Sequence, residues 1–203
     1  MPRISPREFL DLPLRVHSFL RGVPLHDVWT VDLPSGFNGI TLREFRNRVK
    51  TQSQRNTVPK TTKALLGLRF ALGRVCRLDA QTSAQKLASY VKFLPRDDRD
   101  RSLVPPGSKE SVFDVVYSFE NELLLEVVNA TVHAFWAQAL ARVSDGYRLY
   151  WAIYVKPVGW ITRTYMALID PLRRLVVYPQ LLSSTRQEWL RLYSGQDSVV
   201  HVN

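Results

Sequence analysis

The sequence predicts a single α+β domain spanning residues 1–203, an antiparallel β-meander followed by a long, kinked C-terminal helix. Three observations predict it. The apolar pattern changes to a period of two near residue 112 and keeps it to residue 157. The connections in that region are very short, and one is Asp145-Gly146, a strong hairpin signal. Helical spacing then returns from residue 160 through Ile161, Tyr165, Leu168, Leu172 and Val176. With 203 residues and 45% hydrophobic content, the chain can fill one core and is short for two.

Each element follows from local signals. The N-terminal segment, residues 1–24, contains a short helix ending at Phe19 or Leu20, after which "PLHDVWTVDL" alternates as a strand. "PSGFNG" breaks that strand. Thr41 and Glu44 form a capping box, so a helix runs from Leu42 to about Lys50. A second helix spans Lys60 to Arg77, with Ala64, Leu65, Leu68, Leu72 and Val75 along one side. A third near 83–92 precedes a charged Pro-Gly loop, "PRDDRDRSLVPPGSKE". Strands at 112–119, 122–128, 131–143 and 147–157 make the meander. In the last helix, 160–193, Asp170-Pro171 suits an N-cap and first-turn proline, which predicts a kink, and Pro179 predicts a further disturbance.

Composition excludes several classes. The single Cys76 forbids an internal disulfide, and no Cys/His spacing suits zinc, so neither a metal nor a cofactor is expected. The N-terminus lacks the apolar run of a signal peptide, and the apolar stretch from Trp160 to Leu182 carries Arg163, Asp170, Arg173 and Arg174, too many charges for a span. A cytoplasmic protein is the expectation. His17, His26 and His201 stand alone in sequence and are expected in loops or at the surface. Of the net charge of +10, residues 43–77 carry +9, ten Lys/Arg against Glu44. Within this basic arm, residues 42–77, Lys63, Phe70, Arg74 and Arg77 recur at helical spacing. That stripe suits an anionic membrane surface or nucleic acid, or else a solvated helix face.

The hairpin at Asp145-Gly146 sets a register in which Tyr147 opposes Ser144. One sheet face then collects Phe135, Ala137, Ala139, Ala141, Tyr150, Ala152, Tyr154 and Lys156; the other collects Trp136, Leu140, Leu149, Trp151, Ile153 and Val155. The second is a bulky packed layer. The first sets alanines beside hydroxyls and charged ends, the make-up of a small-molecule wall, or of a face that a helix approaches closely with Tyr165, Leu168 and Leu172. With a two-residue turn at Asn129-Ala130, Glu126 opposes His133 on the alanine face, Phe113 and Tyr117 join them, and Lys156 lies diagonally from His133. Apolar residues on both faces, Trp136, Trp151, Leu140 and Ile153 among them, point to a cover from the early helices or from a second subunit in a homodimer.

The segments "LRFALGRVCRLD", "RSLVPPG", "YSFENELLLEVVNATVHAF", "LYWAIYVKPVG" and "YMALIDPLRRLVVYPQLL" resemble a mostly bacterial family defined only as a domain of unknown function, over most of residues 26–182. The element order resembles the helix-grip fold of the START and polyketide-cyclase-like (SRPBCC) superfamily. That resemblance implies a curved sheet gripping the C-terminal helix, with a cavity between them for a hydrophobic ligand, and enzymes a minority among relatives. Members of the family often carry Pro-Phe-His where this chain has Pro171-Leu172-Arg173, which removes a histidine. No catalytic residue is carried over.

These readings leave three functions open. The first is a binder of a hydrophobic or amphipathic small molecule, anchored by Glu126, His133, Tyr154 and Lys156 with Phe113, Tyr117, Phe135 and Tyr150 around its apolar body. The second is a cyclase- or hydrolase-like enzyme using His133 as acid/base oriented by Glu126. The third is an interaction module that docks through the basic arm.

Overall fold

In the computed structural model, described residues are 5–34, 39–55, 88–128, 133–158, 167, 170–171, 174–175 and 178–200, without the side chains of 50–55 and 192–200. Six strands among them form one antiparallel sheet: β1 (Leu25–Pro34), β2 (Lys109–Glu110), β3 (Phe113–Ser118), β4 (Glu122–Val128), β5 (His133–Val143) and β6 (Gly146–Lys156). Their order is β1-β6-β5-β4-β3-β2. The last four follow the meander read from the alternating pattern, while β1 closes against β6 along nearly its whole length.

Register differs from expectation by two, and its parity is kept. The hairpin loop is Ser144-Asp145, with Gly146 already in the strand opposite Val143 and Pro34 at φ 141°, a conformation that glycine supplies. Lys156 therefore stands directly opposite His133, not diagonal to it. In the next pair Val128 opposes His133 and Glu126 opposes Phe135, so the connection is longer than Asn129-Ala130. A shift of two residues moves partners along the strand but flips no side chain, so Glu126 and His133 share the alanine face as expected.

β3 breaks that parity. Its register slips between Val115 and Tyr117, so Val116 is an extra residue against β4. Such a bulge turns everything upstream over. Val116 and Tyr117 both join the alanine-face core, while Val115 and Phe113 pack on the other face, Phe113 with its ring 5.6 Å from Trp136. The expected place of Phe113 among the alanine-face residues is thereby corrected.

Each face has its own cover. α1 (Pro6–Leu10), α2 (Arg15–Phe19) and a 3-10 turn at Tyr90–Phe93 lie on the alanine face, where Phe9, Val16, Leu20 and Leu94 pack with Ala137, Ala139, Ala152, Tyr117 and Phe135. The connection from Leu20 to Leu25 is short, which keeps α1 and α2 beside the strand they precede. α3 (Leu42–Arg55) and the C-terminal α5 (Tyr178–Val200) cover the tryptophan face through Leu42, Phe45, Leu182 and Trp189. Burying each such side chain contributes roughly 1.5–3 kcal/mol. Trp189 also donates from Nε1 to the Pro34 carbonyl at 2.9 Å, tying α5 to the end of β1.

So α5 packs on the face opposite the alanines. Tyr165, Leu168, Leu172 and the kink expected at Asp170-Pro171 fall in a segment of which only scattered residues are described. Pro179 sits in the first turn of α5, where a missing N–H costs nothing. Of the apolar residues that suggested a second subunit, Leu140 and Trp151 are buried within the chain and Trp136 and Ile153 are half-buried.

The remaining elements follow their local chemistry. Thr41 and Glu44 form the capping box, with Thr41 Oγ1 accepting from the Glu44 amide at 3.2 Å and Glu44 Oε2 from the Thr41 amide at 3.3 Å. The first helical segment is two short helices, split where Pro13 intervenes. α4 (Arg96–Arg101) lies inside the stretch read as a charged loop; acids in its first turn and arginines in its last favour a helix through the macrodipole. Residues 56–87, with Lys63, Phe70, Arg74, Cys76 and Arg77, lie outside the described residues, as does the first half, 83–87, of the 83–92 segment. Among the described residues no helix is long and apolar enough to cross a membrane.

Candidate functional site

β4 places two carboxylates on the alanine face four residues apart, and neither is exposed to bulk water. Glu126 is 0% exposed and His133 1%. His133 Nε2 lies 2.5 Å from Glu126 Oε1. The carboxylate also accepts from the Ser89 hydroxyl at 2.6 Å and from the Tyr90 amide at 2.9 Å. Burial pushes the Glu126 carboxyl up, but the hydrogen bonds from His133, Ser89 and Tyr90 outweigh it and hold the pKa below the ordinary value of 4.5. An ionised Glu126 requires the proton on His133 Nε2, which leaves Nδ1 buried without a hydrogen-bond partner.

The pair is roofed. The Tyr90 ring stands edge-on to His133 at 5.3 Å and to Phe135 at 4.8 Å, and Lys156 Nζ sits 5.1 Å over the Tyr90 ring and 3.3 Å from its hydroxyl. Glu126 thus holds the Ser89–Phe93 turn onto the sheet. The expected contact between Glu126 and His133 is present and lies beneath that turn.

Glu122 does a different task. Its two oxygens accept from the Arg15 and Val16 amides, each at 2.8 Å, and from the Tyr117 hydroxyl at 2.5 Å. Leu14, at the N-cap of α2, has no side-chain oxygen to offer, so a carboxylate from the sheet caps that helix. Arg15 in turn pairs with Asp98 of α4 at 2.6 Å.

The tyrosines expected around a ligand are committed within the chain. Tyr150 contacts Glu8 at 3.1 Å, and Glu8 also pairs with Arg148; Tyr154 lies 3.4 Å from His17 Nδ1. Burial first, then nearby carboxylates, raises the pKa of Tyr117, Tyr150 and Tyr154, Tyr117 and Tyr154 the most. The neutral phenols are favoured in the fold, so their stabilisation is complete below the ordinary value of 10.0 and is lost as pH climbs from there toward the raised values. In an alkaline absorbance titration, Tyr117 and Tyr154 should stay neutral past pH 10 until the chain unfolds; ionisation of all eight tyrosines near 10 in the folded state would contradict this.

The tryptophan face carries the groups that the sequence reading passed over. Trp29 opposes Trp151 across β1 and β6, and Trp151 opposes Gln138 of β5. Trp136 lies in the neighbouring row with its ring 5.0 Å from that of Trp151, at 81°. The indole Nε1 atoms of Trp29, Trp136 and Trp151 are all buried without a hydrogen-bond partner. At one side Arg46 reaches from α3 to Gln138 Oε1 at 3.1 Å and forms an ion pair with Glu110; burial lowers its pKa against the pull of that carboxylate. At the other, the Asp27 carboxylate, fully buried in β1, lies 3.8 Å from Arg174 Nε, and Asp170 pairs with His26 at 2.7 Å and with Arg174 at 3.5 Å.

His26 stands alone in the sequence because its partner Asp170 is 144 positions away. The tryptophans show in the sequence only as a packed layer because alternation reports burial and is silent on whether an N–H finds an acceptor. No group of three or more His, Cys, Asp or Glu among the described residues is arranged to hold a metal ion.

No curated protein and no solved structure matches the chain. One family model does, over residues 19–180, from before β1 to the first turn of α5, and it takes in Glu126, His133 and the three tryptophans. The chain belongs to the family described as Protein of unknown function (DUF2867).

Proposed function

We propose that this domain binds an amphipathic small molecule between the tryptophan face of the sheet and the helices that cover it, in the manner of a helix-grip fold. The observation that carries the reading is the set of three buried indole N–H groups without acceptors on one patch. A buried donor left unpaired costs about 1–3 kcal/mol, and native chains seldom tolerate three together. A ligand over Trp29, Trp136 and Trp151 supplies the missing acceptors while covering apolar area. Polar groups at both ends, Arg46 with Gln138 and Asp27 with Arg174, suit a pocket that orients its ligand. The strand order, with β1 beside β6 and a C-terminal helix across them, supports the helix-grip reading.

In this reading the ligand lies across the sheet from Phe135 and from Glu126, His133, Tyr117, Tyr150, Tyr154 and Lys156, whose polar atoms are engaged within the chain by the N-terminal helices and the Ser89–Phe93 turn. Native mass spectrometry of the freshly purified chain tests it. A discrete small-molecule adduct that is released on denaturation, and is weakened by Trp136→Ala but not by Lys156→Ala, is expected. A bare chain mass under conditions that preserve noncovalent adducts would overturn the proposal.

A further inference from the structure

Resting on that reading of the site, we infer that its ligand presents a neutral hydrogen-bond acceptor, of the ketone or ester carbonyl class, to the tryptophan floor. On this side of the sheet the indole N–H groups of Trp29, Trp136 and Trp151 are buried donors without a hydrogen-bond partner. An indole N–H only donates, so what completes the patch is an oxygen with free lone pairs and not a hydroxyl hydrogen or an ammonium.

The surrounding charges decide against an anion. Arg174 already stands beside two carboxylates, Asp27 at 3.8 Å and Asp170 at 3.5 Å, and Arg46 is matched by Glu110. Among the described residues a carboxylate ligand would meet no uncompensated cation at this patch, and its desolvation would go unanswered. Three neutral donors on an apolar, edge-packed indole floor suit a flat apolar body with a carbonyl.

The test uses three probes of one shape, acetophenone, ethylbenzene and benzoate, titrated into the full-length chain with its indole nitrogens labelled with nitrogen-15. Acetophenone should shift the Trp29, Trp136 and Trp151 N–H resonances saturably and bind about three- to tenfold more tightly than ethylbenzene, the factor one neutral hydrogen bond supplies. Benzoate should bind more weakly than either. The Trp189 resonance, held by the Pro34 carbonyl, serves as the fixed reference.

Trp151→Phe and Trp29→Phe should bring acetophenone and ethylbenzene within twofold of each other while leaving ethylbenzene binding in place. Equal binding of ethylbenzene and acetophenone to the unmodified chain, or tightest binding by benzoate, overturns the acceptor class and leaves the small-molecule seat standing. If none of the three probes moves any of the three resonances, the seat itself is absent and both proposals fall.

Discussion

Replacing Glu126 with leucine should destabilise the fold by about 3–5 kcal/mol, because hydrogen bonds to a charged acceptor contribute about 1.5–3 kcal/mol each. The loss has three parts: His133 Nε2, the Ser89 hydroxyl and the Tyr90 amide all donate to this carboxylate and would be left without it. Leucine fills the volume but accepts nothing. Urea denaturation at neutral pH measures the effect. Its pH dependence separates the charge from the shape: the folded-state pKa of Glu126 is depressed, so its contribution is complete above the ordinary value of 4.5 and fades as pH falls through the lower, folded value. The gap between the unmodified chain and Glu126→Leu should therefore be constant from neutral pH down to about 5 and narrow below about 4.5. A gap independent of pH down to acid unfolding would mean that the carboxylate is protonated in the fold. Glu126→Gln, which keeps an acceptor for the Tyr90 amide, should fall between the two.

Glu122→Leu should cost a similar amount, about 3–5 kcal/mol, because hydrogen bonds to a charged acceptor contribute about 1.5–3 kcal/mol each and two of its three donors are backbone amides at a helix end. The effect should be local in origin. Without the carboxylate, α2 loses its only described side-chain cap, so hydrogen exchange at Val16 and Leu20 should accelerate while the amides of α5 keep their protection until global unfolding. Equal acceleration in α2 and α5 would instead make Glu122 part of the global core. Tyr117→Phe, which removes one of the three donors along with its need for an acceptor, should cost no more than about 1 kcal/mol.

The meander was legible because period-two patterning and short turns are local, and β4 has the bounds predicted from residues 122–128. The capping box at Thr41 was legible for the same reason, since both partners lie within four residues. Register was legible only modulo two. Moving the hairpin centre from Asp145-Gly146 to Ser144-Asp145 shifts every pair yet leaves each side chain on its face, so Glu126 and His133 met by a diagonal that the expected pairing did not contain. Phe113 shows the converse. One unpaired residue, Val116, reversed the upstream strand, and nothing in "FDVVYS" marks a bulge, because its two central valines suit either face.

What the sequence determined by itself was which residues share an element and which face of a strand they occupy, since those depend on neighbours a few positions away. What only the tertiary structure decided was which cover each face received and which polar groups were left unanswered. The alanine face took the N-terminal helices and the tryptophan face took α3 and α5, although both faces are apolar enough for either. His26 found Asp170, Glu122 found the end of α2, and three indoles found no acceptor, through encounters set by chain packing over separations of a hundred residues or more in the first two cases. Hydrophobic burial is non-directional and so predictable from pattern, whereas a hydrogen bond needs one particular partner within about 3 Å, and only the assembled fold brings that partner near or withholds it.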